Sequence, residues 1–232
     1  MADESFSVFI CNDLTEPEFL NGLKGLVFDC DGVMFDSMDA NRRYYNLVLE
    51  KLGLEPMDRD QERYVHAHAV QDSIAHIIPS ERIQEAEEVR KSIDYRDVLP
   101  FLKPESGLYA LLSTLCVAGI KCAVYTNRTT TMNLVLDTFA LGRYFRPVVT
   151  ASIVRAKPHP EGMYKILREW GFGPREVAYI GDSEVDAATA RSSNVPFWSY
   201  KNKTLTADMY LPDFWSLRRC VQRVYPEALK GV

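Results

Sequence analysis

The sequence predicts an α/β protein: an open parallel sheet with helices on both faces, interrupted by an all-helical insert. Short apolar runs that end in polar turn clusters carry the first part of this reading. Gly25-Leu26-Val27-Phe28 runs into Asp29-Cys30-Asp31-Gly32, Cys122-Ala123-Val124-Tyr125 into Thr126-Asn127, and Val177-Ala178-Tyr179-Ile180 into Gly181-Asp182-Ser183. Runs this short, and apolar on both faces, suit strands buried inside a parallel sheet. Val148-Val149-Thr150 and Pro196-Phe197-Trp198-Ser199 are two further candidates. Helical periodicity between the runs carries the second part. A long stretch with no strand signal carries the third.

Leu108, Leu111, Leu112 and Leu115 recur at helical spacing, and Gly119 can close that helix. Met163, Ile166, Leu167 and Trp170 do the same, with Pro160 near the start and Gly171 just past the end. Strands alternating with helices across short links build a doubly wound sheet. Residues 38–100 break the alternation. Tyr44, Leu47, Val48 and Leu52 form one apolar stripe closed by Gly53, and residues 60–78 and 81–93 read as further helices. The expected organisation is a core of residues 1–36 and 101–232, with residues 37–100 as a helical insert near Asp29. In residues 1–22, Ser7-Val8-Phe9-Ile10 reads as a strand and residues 16–23 as a helical turn.

The chain has 232 residues, enough for one large domain or for a core with a smaller insert. Its 47% hydrophobic and 25% charged composition is that of a packed globular protein. A formal net charge of -5 argues against nucleic-acid binding, although an acidic whole can hold a basic pocket for a small anion. The cysteines Cys11, Cys30, Cys116, Cys122 and Cys220 are odd in number, widely spaced and without a CxxC pair. That pattern fits a reducing cytoplasm better than a disulfide framework or a zinc site. Cys30 reads as a small apolar residue at a strand end rather than as a nucleophile. No secretory signal or membrane span is expected.

Asp29 and Asp31 stand two residues apart just past a buried strand. On an extended chain such side chains point the same way, toward the carboxyl end of the sheet where open α/β folds bind ligands. One acid of such a pair can stay ionised as nucleophile or metal ligand while the other donates a proton. The alternative is a capping or turn pair. Thr126 and Asn127 can hold phosphate oxygens at a strand–helix turn, or serve as an N-cap. Lys157, fixed before Pro158, can neutralise phosphate and steady a carboxylate, or can be a solvated surface lysine. Mg²⁺ takes one or two protein carboxylates plus water, a requirement that Asp29 and Asp182 would meet. Asp186, one helical turn farther on, suits a hydrogen bond to a ligand or water. Each group has an ordinary explanation by itself. Their common position at strand ends, in this order, does not.

This set resembles the haloacid dehalogenase-like (HAD) hydrolase superfamily, whose four motifs match Asp29-Cys30-Asp31-Gly32-Val33, Tyr125-Thr126-Asn127, Lys157-Pro158, and Gly181-Asp182-Ser183 with Asp186. The resemblance covers residues 25 to about 200 and implies a Rossmann-like core. The insert after Asp36-Ser37 is similar to the α-helical cap of the subgroup holding phosphoglycolate phosphatases and β-phosphoglucomutases. The resemblance implies that Asp29 attacks phosphorus, and that Asp31 protonates the leaving alcohol and then activates water. It further implies Mg²⁺ held by Asp29, Asp182 and the Asp31 carbonyl, with Thr126, Asn127 and Lys157 on the phosphoryl oxygens. Gly32-Val33-Met34-Phe35 would be the turn and flap through which the cap moves. An acid at position 31 favours phosphate esters over halides, and Lys51 and Lys91 offer no obvious Schiff-base lysine.

The chain departs from the family pattern in two places. Ala190-Arg191-Ser192-Ser193-Asn194 replaces an Ala-Gly-rich segment, and residues 99–107 stretch the usual Pro-Gly entry to the first core helix. Specificity is expected from the cap. Arg43 is the candidate there for a substrate carboxylate, with Arg42, Arg63, His66, His68 and His76 nearby in sequence. The expected partner is a small phosphorylated metabolite, without nucleic acid or membrane, and the expected state a monomer or homodimer. A mutase of the β-phosphoglucomutase type is a competing reading, weakened by Asn41 where such mutases carry a histidine. A non-catalytic binding protein on this fold is another.

Overall fold

The computed structural model describes residues 9–67 and 70–229. The chain divides into two compact units, one of Met1–Met34 with Pro104–Val232 and one of Phe35–Lys103. In chain order the strands are β1 (Gly25–Phe28), β2 (Phe35–Asp36), β3 (Lys103–Pro104), β4 (Lys121–Thr126), β5 (Phe145–Thr150), β6 (Val177–Gly181), β7 (Phe197–Tyr200) and β8 (Met209–Leu211). The α-helices are α1 (Met38–Lys51), α2 (Arg59–Ala67), α3 (Val70–Ile77), α4 (Ile83–Ser92), α5 (Leu108–Val117), α6 (Met132–Thr138), α7 (Glu161–Trp170), α8 (Glu184–Ser193) and α9 (Phe214–Val224).

Six strands form one parallel sheet in the order β5-β4-β1-β6-β7-β8. Strands β1, β6 and β7 are buried along their whole length, which is why they read as unbroken apolar runs. Alternation sends Val27, Ala123, Tyr125, Val149 and Tyr179 to one face, where they pack with Met163 and Ile166 of α7 and Ala187 and Ala190 of α8. Phe28 points to the other face and meets Phe145 and the α9 residue Phe214 edge-on, at centroid distances of 5.7 and 6.1 Å. After β5 the chain crosses β1 to reach β6. The loops on both sides of that switch point therefore open at the carboxyl ends of neighbouring strands.

The unit of Phe35–Lys103 has its own core. Tyr45, Val48, Leu49 and Leu52 of the first helix and its end pack with Val65, Ile74, Ile77 and Ala86. The stripe read as Tyr44, Leu47, Val48 and Leu52 thus takes in Tyr45 and Leu49 as well. The stretch 60–78 carries two helices, α2 and α3, and residues 68–69, including His68, lie outside the described residues. Residues 16–23 form a short 3₁₀ turn over Pro17–Leu20. Of the expected strand at 7–10, Ser7 and Val8 lie outside the described residues, and Ile10 makes an isolated parallel bridge to Tyr210. The departure at 190–194 resolves at Asn194, which takes the left-handed C-cap of α8 (φ 56°), a conformation asparagine tolerates better than most residues. No helix among the described residues is long and apolar enough to cross a membrane.

Ile166 is fully buried in the core between α7 and the sheet, whereas Leu14 is 91% exposed. Ile166→Ala is expected to cost about 3 kcal/mol of unfolding free energy and Leu14→Ala less than about 0.5 kcal/mol, read as shifts of the urea midpoint at unchanged slope.

Candidate active site

Four loops at the carboxyl ends of β1, β4, β5 and β6 carry Asp29, Asp31, Thr126, Asn127, Lys157 and Asp182. The chain leaves β1 at Asp29, whose backbone N–H still bonds the Ile180 carbonyl at 2.9 Å, so the carboxylate is held against β6. Lys157 follows β5 in the loop closed by Pro158. Its ammonium lies 2.8 Å from Asp29 Oδ1 and 2.6 Å from Asp186 Oδ1, and all three side chains are almost fully buried. Lys157 is therefore no surface lysine. Burial alone would lower its pKa, but the two carboxylates raise it above the ordinary lysine value, so it stays charged.

Asp186 sits in the first turn of α8 and does several things at once. Its Oδ1 also accepts from the Tyr179 hydroxyl at 2.6 Å, and its Oδ2 accepts from the Ser183 hydroxyl at 2.5 Å and the Ser183 N–H at 3.2 Å. Ser183 returns the bond by accepting from the Asp186 N–H at 3.2 Å, a capping box that ties the site to the start of the helix. Burial would raise the Asp186 carboxyl. The Lys157 ammonium and the hydrogen bonds from Lys157, Ser183 and Tyr179 outweigh it and hold the group below the usual carboxylate range. With both oxygens committed, Asp186 is a positioning residue for Lys157.

Asp182 lacks such compensation. No ion pair to it occurs among the described residues, and burial first, then the Asp186 charge, push its carboxyl up to about 7. Burial likewise pushes Asp29 well above its usual range, against the pull of Lys157, with Asp186 and Asp182 adding to the rise. Asp29, Asp182 and Asp186 each offer an oxygen within 4.8 Å of the others. Three crowded carboxylates facing one ammonium form an all-oxygen donor set whose repulsion a divalent cation would relieve. Among the described residues only Oδ1 of Asp29 is engaged and Asp182 has no ion pair, so these two would be the free ligands. The backbone makes room for them. A Cβ at Gly32, whose φ is +76°, would overlap the Asp182 carboxylate, and one at Gly181 would overlap Asp186 Cβ.

The residues expected to bind phosphate make contacts with one another and with their neighbours. Thr126 is buried, and its hydroxyl accepts from the Arg128 N–H at 3.1 Å. The Asn127 carboxamide brackets Lys157, donating to its carbonyl at 3.2 Å and accepting from its N–H at 2.7 Å. The Asn127 side chain thus positions the lysine. Asp31 is held by Arg128 through a two-pronged ion pair, Nε to Oδ2 at 2.7 Å and Nη2 to Oδ1 at 2.6 Å. Arg43 lies in the other unit, 3.6 Å from Glu50 on its own helix. Burial pushes the Cys30 thiol up and away from ionisation, as suits a packing residue.

Sequence reasoning missed Arg128, Tyr179 and Asn202. Arg128 directly follows Asn127, but nothing local pairs it with a residue 97 positions away. Tyr179 reads as one more apolar strand residue, and only the fold turns its hydroxyl to Asp186. Asn202 donates to the Asp182 carbonyl at 2.9 Å from a loop without any sequence signal.

Against known proteins, residues 26–199 match the family model of the haloacid dehalogenase-like hydrolases. The chain is 27% identical over 191 residues to phosphoglycolate phosphatase 1 of Pseudomonas aeruginosa, covering 78% of this chain and 70% of that protein. It is 25% identical over 195 residues to a pyrophosphatase of Anoxybacillus flavithermus, covering 82% and 90%. Among solved structures, a HAD-superfamily hydrolase of subfamily IA, variant 1, from Geobacter sulfurreducens superposes with a TM-score of 0.75 at 39% identity, over 84% of this chain and 95% of that one.

Asp186→Ala removes one of the two carboxylates that compensate the buried Lys157 ammonium. It is expected to destabilise the fold by about 3 kcal/mol or more, read by thermal or urea unfolding. Asp31→Ala, at a more exposed pair, should cost less than half as much. Equal losses would contradict the assignment of Asp186 as the structural anchor of Lys157.

Proposed function

The chain belongs to the haloacid dehalogenase-like hydrolase family, and on that premise we propose that it is a magnesium-dependent phosphatase of a small phosphate monoester, acting through an aspartyl-phosphate on Asp29. The observation that carries this reading is the Lys157 ammonium 2.8 Å from Asp29, beside the unpaired Asp182. A buried, charge-compensated carboxylate with one oxygen uncommitted is the nucleophile that phosphoryl transfer needs. The names of the bacterial relatives, phosphoglycolate phosphatase and pyrophosphatase, support phosphate chemistry, and phosphoglycolate is the first substrate to test.

Asp29 attacks phosphorus in line, and the P–O bond to the alcohol breaks as the new bond forms. Lys157 stays charged throughout, balancing the phosphoryl oxygens and orienting Asp29. Thr126 and the backbone N–H of Asn127 are the further groups proposed for the phosphoryl oxygens. Asp31 gives a proton to the leaving alkoxide and later takes one from the attacking water. Arg128 holds Asp31 as a carboxylate, so Asp31 takes up the proton it gives once that pair opens. Mg²⁺, held by Asp29, Asp182 and the Asp31 carbonyl, would neutralise charge on the transferring group. Residues 37–100 act as the cap that sets specificity. There Arg43 is the candidate for a substrate carboxylate, because its exposed contact with Glu50 is weak enough to yield.

Phosphate release from a panel of phosphoglycolate, sugar phosphates and nucleotides, with Mg²⁺ and then with EDTA, tests the proposal. The expected result is strong turnover of one compound that EDTA abolishes and Asp29→Asn lowers by at least about 10³-fold. Mg²⁺ should also raise the melting temperature of the wild type but not of Asp182→Asn. Asp31→Asn should slow alkyl phosphates far more than p-nitrophenyl phosphate, whose leaving group barely needs an acid. Phosphate release that waits on an added sugar bisphosphate would point to a mutase instead.

A further inference from the structure

Away from the site, residues 9–15 run along the edge of the main sheet and across α9. Two backbone bonds seat this strap: Cys11 N–H to the Tyr210 carbonyl at 2.9 Å and Tyr210 N–H to the Phe9 carbonyl at 2.7 Å. Arg219 pairs with Asp13. Arg223 donates to the Asp13 carbonyl at 3.1 Å and to the Thr15 carbonyl. Beneath the strap, Cys11 Sγ lies 3.7 Å from Cys220 Sγ on α9, and both side chains are buried.

Two packed cysteines by themselves are ordinary small core residues. The arginine beside them is not. Arg223 Nη2 lies 3.4 Å from Cys220 Sγ. The guanidinium that holds the Asp13 and Thr15 carbonyls of the strap also favours a thiolate on Cys220. The hydrogen bond with Cys11 and then Arg223, against burial, draw the Cys220 thiol down to about 6, while the same bond and burial push Cys11 up. One sulfur is thus set up to attack and the other to resolve. The remaining thiols are set apart from this arrangement. Cys30 and Cys122 are buried with raised pKa values, and Cys116 is exposed. The cover over the pair is one strap thick, since Asn12, Asp13 and Leu14 are exposed to solvent.

We propose that Cys11 and Cys220 form an oxidative modification site, a dithiol that a peroxide converts to a disulfide stapling the strap of residues 9–15 to α9. The Cys220 thiolate attacks one peroxide oxygen, the O–O bond breaks, and the released hydroxide takes up a proton to leave as water. Cys220 is then a sulfenic acid. Cys11 attacks that sulfur, the S–S bond forms and the S–O bond breaks. The hydroxide leaves as a second water with the proton from Cys11. The two thiols lose two electrons and the peroxide gains them. The sulfurs must close from 3.7 Å to about 2.05 Å.

The test is to treat the full-length chain with hydrogen peroxide in reductant-free buffer, alkylate the remaining thiols, digest without reduction, and map the peptides by mass spectrometry. The expected product is a cross-linked peptide pair joining Cys11 to Cys220, lighter by two hydrogen atoms than its parts, with Cys30 and Cys122 recovered alkylated. Cys11→Ser should leave Cys220 as a sulfenic acid captured by dimedone, and Cys220→Ser should leave Cys11 unoxidised. Recovery of both Cys11 and Cys220 as alkylated thiols from wild-type protein, under exposure that oxidises Cys116, would overturn the proposal. So would a cross-link of either residue to any other cysteine.

Discussion

The Lys157 ammonium, buried between Asp29 and Asp186, is the interaction on which the rest of the site depends. A charge taken out of water costs several kcal/mol unless its partners are close and well bonded. Here the partners are 2.8 and 2.6 Å away. One of them is anchored by Tyr179 and Ser183, and the lysine backbone is itself bracketed by Asn127. Removing any of these leaves a buried charge exposed to its neighbours, so position is enforced by the cost of every alternative. On the proposed mechanism, a nucleophile set in such a frame needs little reorganisation when phosphorus arrives.

The sheet explains why these groups meet at all. Asp29, Thr126, Lys157 and Asp182 come from four separate segments, and only the parallel order β5-β4-β1-β6 brings the ends of those segments side by side. Parallel strands need buried faces, and the two helical layers supply them through Val27, Tyr125 and Tyr179 on one side and Phe28 on the other. The same alternation that packs Tyr179 against the core directs its hydroxyl to Asp186. Core and site therefore share residues, and a change in one is felt in the other.

Much of this was legible beforehand because strand ends carry local signals. Asp29, Asp31, Thr126, Asn127, Lys157, Asp182 and Asp186 could all be named from short apolar runs followed by particular polar residues. The assignment of tasks among them was less legible. The carboxamide of Asn127 is used on Lys157, and Asp31, read as the proton-donating acid of a pair with Asp29, is held by Arg128. These are pairings across 30 and 97 positions, which no local pattern encodes. Elements without strong periodicity, such as β8 and α6, escaped for a related reason. A three-residue edge strand and a seven-residue helix owe their existence to the neighbours they pack on.

The central claim is that Asp29 itself carries the phosphoryl group. Rapid acid quench during turnover of a ³²P-labelled substrate, followed by peptide mapping, tests it most directly. The account predicts transient, hydroxylamine-labile label on the peptide containing Asp29, accumulating to a higher level in Asp31→Asn because hydrolysis lacks its base. Turnover with no label on the protein, or with label on any other residue, would contradict it.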